Sequence, residues 1–378
     1  MVREIGCVAV LLTAATFPQQ TNAQTNIPLG AEPRVDTLFT VDPNSGAKAL
    51  YQIVEGYFIS SLLRDEFGNL NVAVRKNGAA YEASVASLDN QQYADKFTKI
   101  LSAGDIADVA VKAMQAAGRW KPDWEFLMPL GMAIVNNKTL EIMDFPPNTL
   151  IPKRDYLNSK TTDRWFALLE ENGASSIGLQ GFTAILDIAP IAAPANDGKA
   201  LLAANVYGGD FDTYTSQMLD LWTSTPDTQT RKPAVAFGSP IRIWLKRLYG
   251  LTLNVLDVAA IPMKNATIPI LMSNHPAYIF YISTFADAFY VMQQDLAAAC
   301  WQSEMGNNPK QDPTKIRDSC VSNWKGQDFE ICKLTEMQAF RMTPGAAVIA
   351  CNQKTLPPPP PAAEMLTSFP GDDVLRAE

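Results

Sequence analysis

The sequence predicts an α/β protein, in which helices flank a central, mostly parallel sheet and a disulfide-linked helical region follows at the C-terminal end. Short stretches that are apolar throughout alternate with amphipathic segments in the middle of the chain, which is typical of strands covered on both faces. Four of the five cysteines fall in the last quarter of the chain. The 378 residues are 47% hydrophobic and 19% charged, which is the composition of a folded protein.

Residues 1–23 have the three-part layout of a secretory signal peptide. Arg3 gives a positive start, an apolar run covers 7–17, and small or polar residues follow, so we expect cleavage near Ala23. The run is shorter than the about 20 residues that span a bilayer. A buried N-terminal helix or strand is the alternative. No later stretch predicts stable membrane insertion, and we expect a secreted or periplasmic protein.

Residues 24–152 predict an N-terminal α+β region. The Pro-rich stretch 145–152 marks the candidate boundary, because proline interrupts both helices and strand pairing. The predicted helices lie at 47–63, 93–101 and 106–117, and the strand-like runs at 69–74, 126–135 and 139–143.

Residues 153–285 predict the α/β core. Its predicted strands are 182–188, 200–206, 234–237 and 268–272. The helices predicted around and between them are 161–172, 213–222 and 240–249. Uninterrupted apolar strands separated by helices favour a sheet buried on both faces.

Residues 286–353 predict a disulfide-linked helical region with helices at 285–305, 313–324, 328–341 and 344–353. Asp312, Gln327 and Thr343 stand where helix starts are expected, and prolines at 313 and 344 occupy first-turn positions. Each helix carries one cysteine of the set Cys300, Cys320, Cys332 and Cys351.

These cysteines predict two disulfides in an oxidising compartment, with three pairings possible. A zinc site is the alternative. The cysteines form no C-x-x-C pair, and the only histidine, His275, precedes them, so we predict no metal site.

The final segment, residues 354–378, predicts a Pro-rich disordered tail with five consecutive prolines at 357–361. Such a run is typical of a spacer or a disordered terminus. A ligand for a proline-recognising partner is the alternative.

The net charge of −8 disfavours binding to nucleic acid or to an anionic membrane. No stripe rich in Lys and Arg offsets it. A small-molecule ligand or an envelope protein remains as a possible partner, and the sequence indicates no particular cofactor.

His275 is the first candidate site residue, because it directly follows the predicted strand 268–272. Ligands of open α/β sheets bind outside the carboxyl ends of strands. Histidine also exchanges protons near neutral pH. The neighbouring Asn274 and Tyr278 are candidate ligand-binding residues, and a histidine that only bonds to backbone is the alternative.

Asp210 and Asp212 form a second candidate, behind the glycine pair at 208–209 and after a predicted strand. They are candidate catalytic partners of His275. Two carboxylates at alternate positions also suit a hard cation, although the ligand series of an EF-hand is missing. Capping of the helix from Thr213 is the commoner use of such residues.

Ser239, in Gly238-Ser239-Pro240, is a candidate ligand-binding residue at a strand end. The pattern lacks the G-x-S-x-G of a nucleophilic serine, which favours a helix cap. Asp187 is an unusual charge within an apolar strand.

The strand leading to Gly238, the helix after it and the strand ending in His275-Pro276 together resemble the second half of the uracil-DNA glycosylase core. In that family a His-Pro-Ser motif follows the last core strand, and its histidine contacts the base. Ala277 stands where that serine would be, and the sequence shows no counterpart of the water-activating motif. The resemblance covers about 234–281 and implies the α/β fold without the activity.

Two function classes follow. The first is an exported binding or structural module with a small-ligand crevice near His275. The second is an exported hydrolase or lyase that uses His275 with Asp210 or Asp212. The absence of a recognisable catalytic motif favours the first.

Overall fold

The computed structural model describes residues 40–41, 72–77, 80–85, 106–107, 109–121, 124–127, 138–144, 160–174, 183–224, 232–264 and 266–357. The predicted signal peptide, the predicted helices at 47–63 and 93–101, and the tail beyond residue 357 lie outside the described residues.

Ten strands are described: β1 (Thr40–Val41), β2 (Val72–Asn77), β3 (Ala80–Val85), β4 (Glu125–Leu127), β5 (Thr139–Met143), β6 (Thr183–Asp187), β7 (Ile191–Ala192), β8 (Ala234–Phe237), β9 (Val258–Pro262) and β10 (Thr267–Ser273). Five of them form the central sheet in the order β6-β5-β8-β10-β9. The first four run parallel, and β9 pairs antiparallel with β10. The predicted α/β class with a mostly parallel sheet is confirmed. β2 and β3 form a hairpin, and β1, β4 and β7 form a small antiparallel sheet.

Eight helices have defined bounds: α1 (Lys160–Glu171), α2 (Ala195–Ala203), α3 (Asp212–Thr223), α4 (Gly238–Tyr249), α5 (Phe285–Asn307), α6 (Pro313–Lys325), α7 (Asp328–Gln338) and α8 (Pro344–Gln353). Residues 109–116 are also helical. A π-helical turn covers Ala204–Gly208, and a 3-10 turn covers Pro276–Tyr281. None of the helices in the described part of the chain has the length and apolar character needed to cross a membrane.

Helices cover both faces of the central sheet, which explains why its strands are apolar throughout. In β8, Ala234 and Ala236 pack toward α2, α3 and α4, whereas Val235 and Phe237 pack toward α1 and α5. Each face is filled by tryptophans that are fully buried: Trp222 and Trp244 on the first, Trp165 and Trp301 on the second.

The direction of the crossovers predicts a crevice between β5 and β8. The chain leaves β5 through α1 on the second face, and it leaves β8 through α4 on the first face. Neighbouring strands whose connections depart to opposite faces form a topological switch point. In open α/β sheets, ligands bind at this point, outside the carboxyl ends of the strands.

The C-terminal helical region contains the two predicted disulfides and shows their pairing. Cys300–Cys320 joins α5 to α6, and Cys332–Cys351 joins α7 to α8, with Cα–Cα distances of 5.7 and 5.9 Å. The side chains of Asp312 and Thr343 accept backbone N–H bonds at the predicted starts of α6 and α8, whereas Gln327 precedes α7 as predicted but its side chain makes no such bond.

One predicted strand is wrong. Residues 200–206 end α2 and enter the π-helical turn, because their alanines and leucines are strong helix formers and an apolar run of this length does not by itself indicate a strand. The predicted domain boundary at 145–152 also separates β5 from β6 and β8, its partners in the sheet.

Candidate functional site

Three of the four parallel strands end in polar residues at one edge of the sheet, and the fourth ends in a glycine. Because β5, β6, β8 and β10 are parallel, their carboxyl ends lie side by side. Asp144 follows β5, Asp187 ends β6, Gly238 follows β8, and Asn274 and His275 follow β10. The edge therefore combines carboxylates with the only histidine.

His275 and Asp144 contact each other across the end of β8. Nε2 of His275 lies 3.6 Å from Oδ1 of Asp144, and the two side chains are 29% and 18% exposed. This distance is longer than a hydrogen bond, so the contact is electrostatic and both groups remain accessible.

Gly238 makes this approach possible. It has φ of +82°, and a Cβ added to it would lie 3.1 Å from the Cβ of His275. Only glycine adopts such a backbone conformation readily and leaves this space. The glycine after β8 is therefore needed where the histidine passes over the strand end.

The backbone orients the imidazole ring. His275 precedes the 3-10 turn, and its Nδ1 accepts a hydrogen bond of 3.2 Å from the N–H of Ala277. In the neutral ring the proton therefore lies on Nε2, which faces Asp144. Burial lowers the pKa of His275, but the carboxylates of Asp144 and Asp187 outweigh it, and the pKa is raised above 6.5.

A buried ion pair lies behind the histidine loop. Nη2 of Arg164 lies 2.7 Å from Oδ2 of Asp295, and the two side chains are 2% and 0% exposed. Burial raises the pKa of Asp295, although the charge of Arg164 opposes this effect. The pair contacts the residues on both sides of His275.

The other predicted residues of this edge lie close to the histidine in sequence or at a strand end. Tyr278 is half-buried in the 3-10 turn, and burial followed by the charge of Asp287 raises its pKa. Ser239 is buried in the first turn of α4. The capping role of Ser239 stays a prediction.

Asp210 and Asp212 pair with arginines. Arg119 lies 2.6 Å from Asp210, and Arg247 lies 2.6 Å from Asp212. His275 contacts Asp144 instead, and neither Asp210 nor Asp212 is among the charged groups that act on its ring, so the structure does not bring the histidine together with either aspartate. Gly209, with φ of +81°, provides the tight turn that the glycine pair predicts.

Asp210 also lines a cleft between helical residues 109–116 and α3. Its volume is about 320 Å³, and its other lining residues are mostly apolar: Ile106, Val109, Ala110, Ala113, Met114, Ala117, Arg119, Thr213, Tyr214 and Gln217. Such a volume lies at the small end of ligand sites.

Sequence reasoning missed Asp144, Arg164 and Asp295. Asp144 directly follows the run 139–143, so it was detectable as a strand-end carboxylate once that run was assigned to the sheet. Arg164 and Asp295 lie within helices and meet only after folding. No sequence pattern marks their contact.

Within the described ranges, no group of three His, Cys, Asp or Glu side chains is arranged to hold a metal ion. Comparison with protein-family models, with curated proteins and with solved structures finds no match. The class of protein therefore rests on the fold and on the geometry of the edge: an α/β protein with an aspartate–histidine pair at its switch point.

Proposed function

We propose that this protein is a hydrolase in which Asp144 and His275 act together at the switch-point crevice. The observation that carries the proposal is the contact of 3.6 Å between Oδ1 and Nε2, with Nε2 bearing the proton. Strand-end placement at a switch point is where α/β proteins bind ligands.

The two side chains take different parts in the reaction. Asp144 accepts a proton from the attacking water, whose oxygen forms the new bond to the substrate. The Nε2–H of His275 donates a hydrogen bond to the negative charge that develops on the substrate. The proton on Asp144 then passes to the leaving group as its bond breaks, which restores the carboxylate.

The charges of the edge favour neutral or cationic substrates. Asp144 and Asp187 are both carboxylates, and Arg164 is already paired with Asp295. An anionic group would be repelled by the carboxylates. The net charge of −8 acts in the same direction.

The test is a panel of neutral esters, amides, glycosides and nucleosides with the purified protein. We expect hydrolysis of at least one class and a loss of about a hundredfold in Asp144→Asn and in His275→Ala, which has no side-chain donor. Asp212→Asn is the matched control, because its carboxylate pairs with Arg247. Full activity in Asp144→Asn would exclude this proposal.

The rate should depend on pH through the histidine. The protonated ring would place a positive charge beside Asp144 and weaken this carboxylate as a base, so the rate rises as the pH passes the raised pKa of His275 and the ring becomes neutral. His275→Gln, which keeps an N–H donor without a titratable ring, should lose this part of the profile.

A second candidate function is the binding of a small ligand without chemistry, and the cleft of about 320 Å³ favours it. Two disulfides fit an extracellular or periplasmic protein, where such modules are common. A thermal-shift screen of small organic ligands tests it. Ligands whose shift disappears in Asp210→Asn but remains in His275→Gln bind in the cleft, whereas the reverse pattern assigns them to the crevice.

A further inference from the structure

We infer that Arg164 and Asp295 are positioning residues that hold His275 against Asp144. The inference rests on the proposed function for the consequence of that position in catalysis. Neither residue forms a hydrogen bond with the imidazole; both bond to the residues on either side of it.

Arg164 fixes the backbone of Pro276, the residue after the histidine. Its Nη1 donates a hydrogen bond of 2.8 Å to the carbonyl oxygen of Pro276. Its Nε donates to Oε1 of Gln338 at 2.8 Å, and its Nη2 pairs with Asp295. The guanidinium thus joins α1, α5, the end of α7 and the histidine loop.

Asp295 fixes the side chain of Asn274, the residue before the histidine. Its Oδ1 accepts a hydrogen bond of 3.1 Å from Nδ2 of Asn274, while its Oδ2 accepts the bond from Arg164. Asn274 also donates to Oε1 of Gln294 at 3.0 Å. His275 is therefore the central residue of a tripeptide whose two neighbours are fixed to one ion pair.

The cost of burial supports a positional role over a purely stabilising one. Two charges taken out of water lose solvation that their attraction often fails to repay, and apolar replacements of similar volume are often neutral or stabilising. Arg164 and Asp295 are both nearly inaccessible. Apolar side chains would fill this space but would not bond to Pro276 and Asn274.

The experiment uses the fact that the chain contains one histidine. The ¹⁵N shifts of its imidazole report the tautomer and the pKa without ambiguity. The charged groups that act on the ring are Asp144 from the end of β5, Asp187 from β6, Arg164 from α1 and Asp295 from α5. We compare wild type with Arg164→Met/Asp295→Leu, and with Lys121→Met/Asp197→Leu as a control that removes an exposed ion pair.

In wild type we expect neutral His275 to carry its proton on Nε2. In Arg164→Met/Asp295→Leu we expect mixed tautomers and a pKa closer to 6.5, because the ring leaves Asp144. On a substrate from the panel, kcat should fall about tenfold to a hundredfold with KM nearly unchanged, since displacement of a catalytic group by about 1 Å has effects of this size. The control pair should leave all three readouts at wild-type values.

A folded Arg164→Met/Asp295→Leu protein with the tautomer and pKa of wild type would overturn the inference. If that variant does not fold, Asn274→Ala decides, because it removes one tie and leaves the ion pair in place: mixed tautomers support the inference and a wild-type spectrum overturns it. Wild-type protein without hydrolytic activity would overturn the proposed function alone, since the spectra test the position of the ring independently.

Discussion

At the scale of single residues, Glu141 is a carboxylic acid that is buried between the central sheet and α5. It lies on β5 with no exposed surface, and Nε2 of Gln302 donates to its Oε1 at 3.2 Å. The same amide contacts Thr139 and Thr183, and Trp165 donates to its oxygen. Burial raises the pKa of Glu141 to about 8, although the bonds from Gln302 and Thr183 oppose it.

This pKa predicts how stability depends on pH. The folded state binds the proton of Glu141 more tightly than the unfolded state, whose pKa is near 4.5. The free energy of unfolding should therefore fall as the pH rises from about 4.5 to about 8. Outside that range this group should cause no further change with pH. Urea unfolding at a series of pH values measures it.

Glu141→Gln should remove this part of the pH dependence. It should also stabilise the protein at pH 8 by a few kcal/mol at most, because a tenfold difference in proton affinity between the folded and unfolded states corresponds to about 1.4 kcal/mol. Glu170→Gln is the control, since Glu170 is exposed on α1. Parallel pH curves for wild type and Glu141→Gln would show that the acid is not perturbed.

Gly238 predicts a second effect at this scale. In Gly238→Ala, the left-handed backbone costs about 1–2 kcal/mol and the new methyl group presses on His275. Gly250→Ala carries the same backbone cost, with φ of +71°, but meets nothing within 4 Å. We expect similar losses of Tm from the backbone in both, with hydrolysis lost only in Gly238→Ala.

Equal activities of the two alanine variants would show that the space over Gly238 does not matter for the site. The two variants are comparable because both glycines lie at ends of α4: Gly238 at its start and Gly250 directly after its last residue.

The candidate site could be predicted only in part. His275 and Asn274 follow a strand whose apolar pattern is uninterrupted, so their place at the edge was predictable. The partner was not, because the same reasoning that selects strand-end carboxylates also selects Asp210 and Asp212, which follow a helical turn that resembles a strand in composition.

At the scale of elements, helix starts were predicted correctly where two independent sequence signals mark the same position. The starts of α6 and α8 combine a capping side chain with a following proline, and both are placed correctly. β9 was missed, because its residues are partly exposed at the sheet edge and lack the continuous apolar pattern of the buried strands. An apolar sequence pattern reflects the burial of side chains, and the side chains of an edge strand such as β9 are buried only in part.

The disulfides predict different local effects. α8 buries only Ala347 and Cys351, so its attachment depends on the bond to Cys332. In Cys332→Ser/Cys351→Ser, we expect hydrogen exchange to increase in 344–353 while the sheet keeps its protection. The expected loss of global stability is small, because the detached helix contributes little buried surface.

Cys300→Ser/Cys320→Ser should behave differently. α6 is also held by buried Ile316 and Trp324 and by the bond from Trp301 to the carbonyl of Pro313. We expect α6 to stay protected and global stability to fall by about 3 kcal/mol, the effect of opening a loop of this length. Equal exchange patterns in the two double mutants would contradict this distinction.

At the scale of the whole molecule, the order of strands decides the site, and it is the feature that sequence patterns reveal least. β5 precedes a Pro-rich segment and yet lies between β6 and β8. Its neighbours are about 40 and 90 residues away in the chain, and no local signal encodes such pairing. Without that order, Asp144 cannot be placed beside His275.

The last prediction concerns the compartment, and it links the two ends of the chain. All four disulfide cysteines are at most 8% exposed and pair between helices of one buried cluster. Such pairs persist in oxidising compartments and are rare in the cytosol. The two disulfides therefore fit an extracellular or periplasmic protein, and the pattern of residues 1–23 predicts the export that this location needs. Protein from its native source should therefore begin near Gln24, and denatured protein should take up alkylating reagent only after reduction, at four cysteines.

Native protein that retains Met1 and is alkylated without reduction would contradict both expectations, and the helical layer would then need another source of stability.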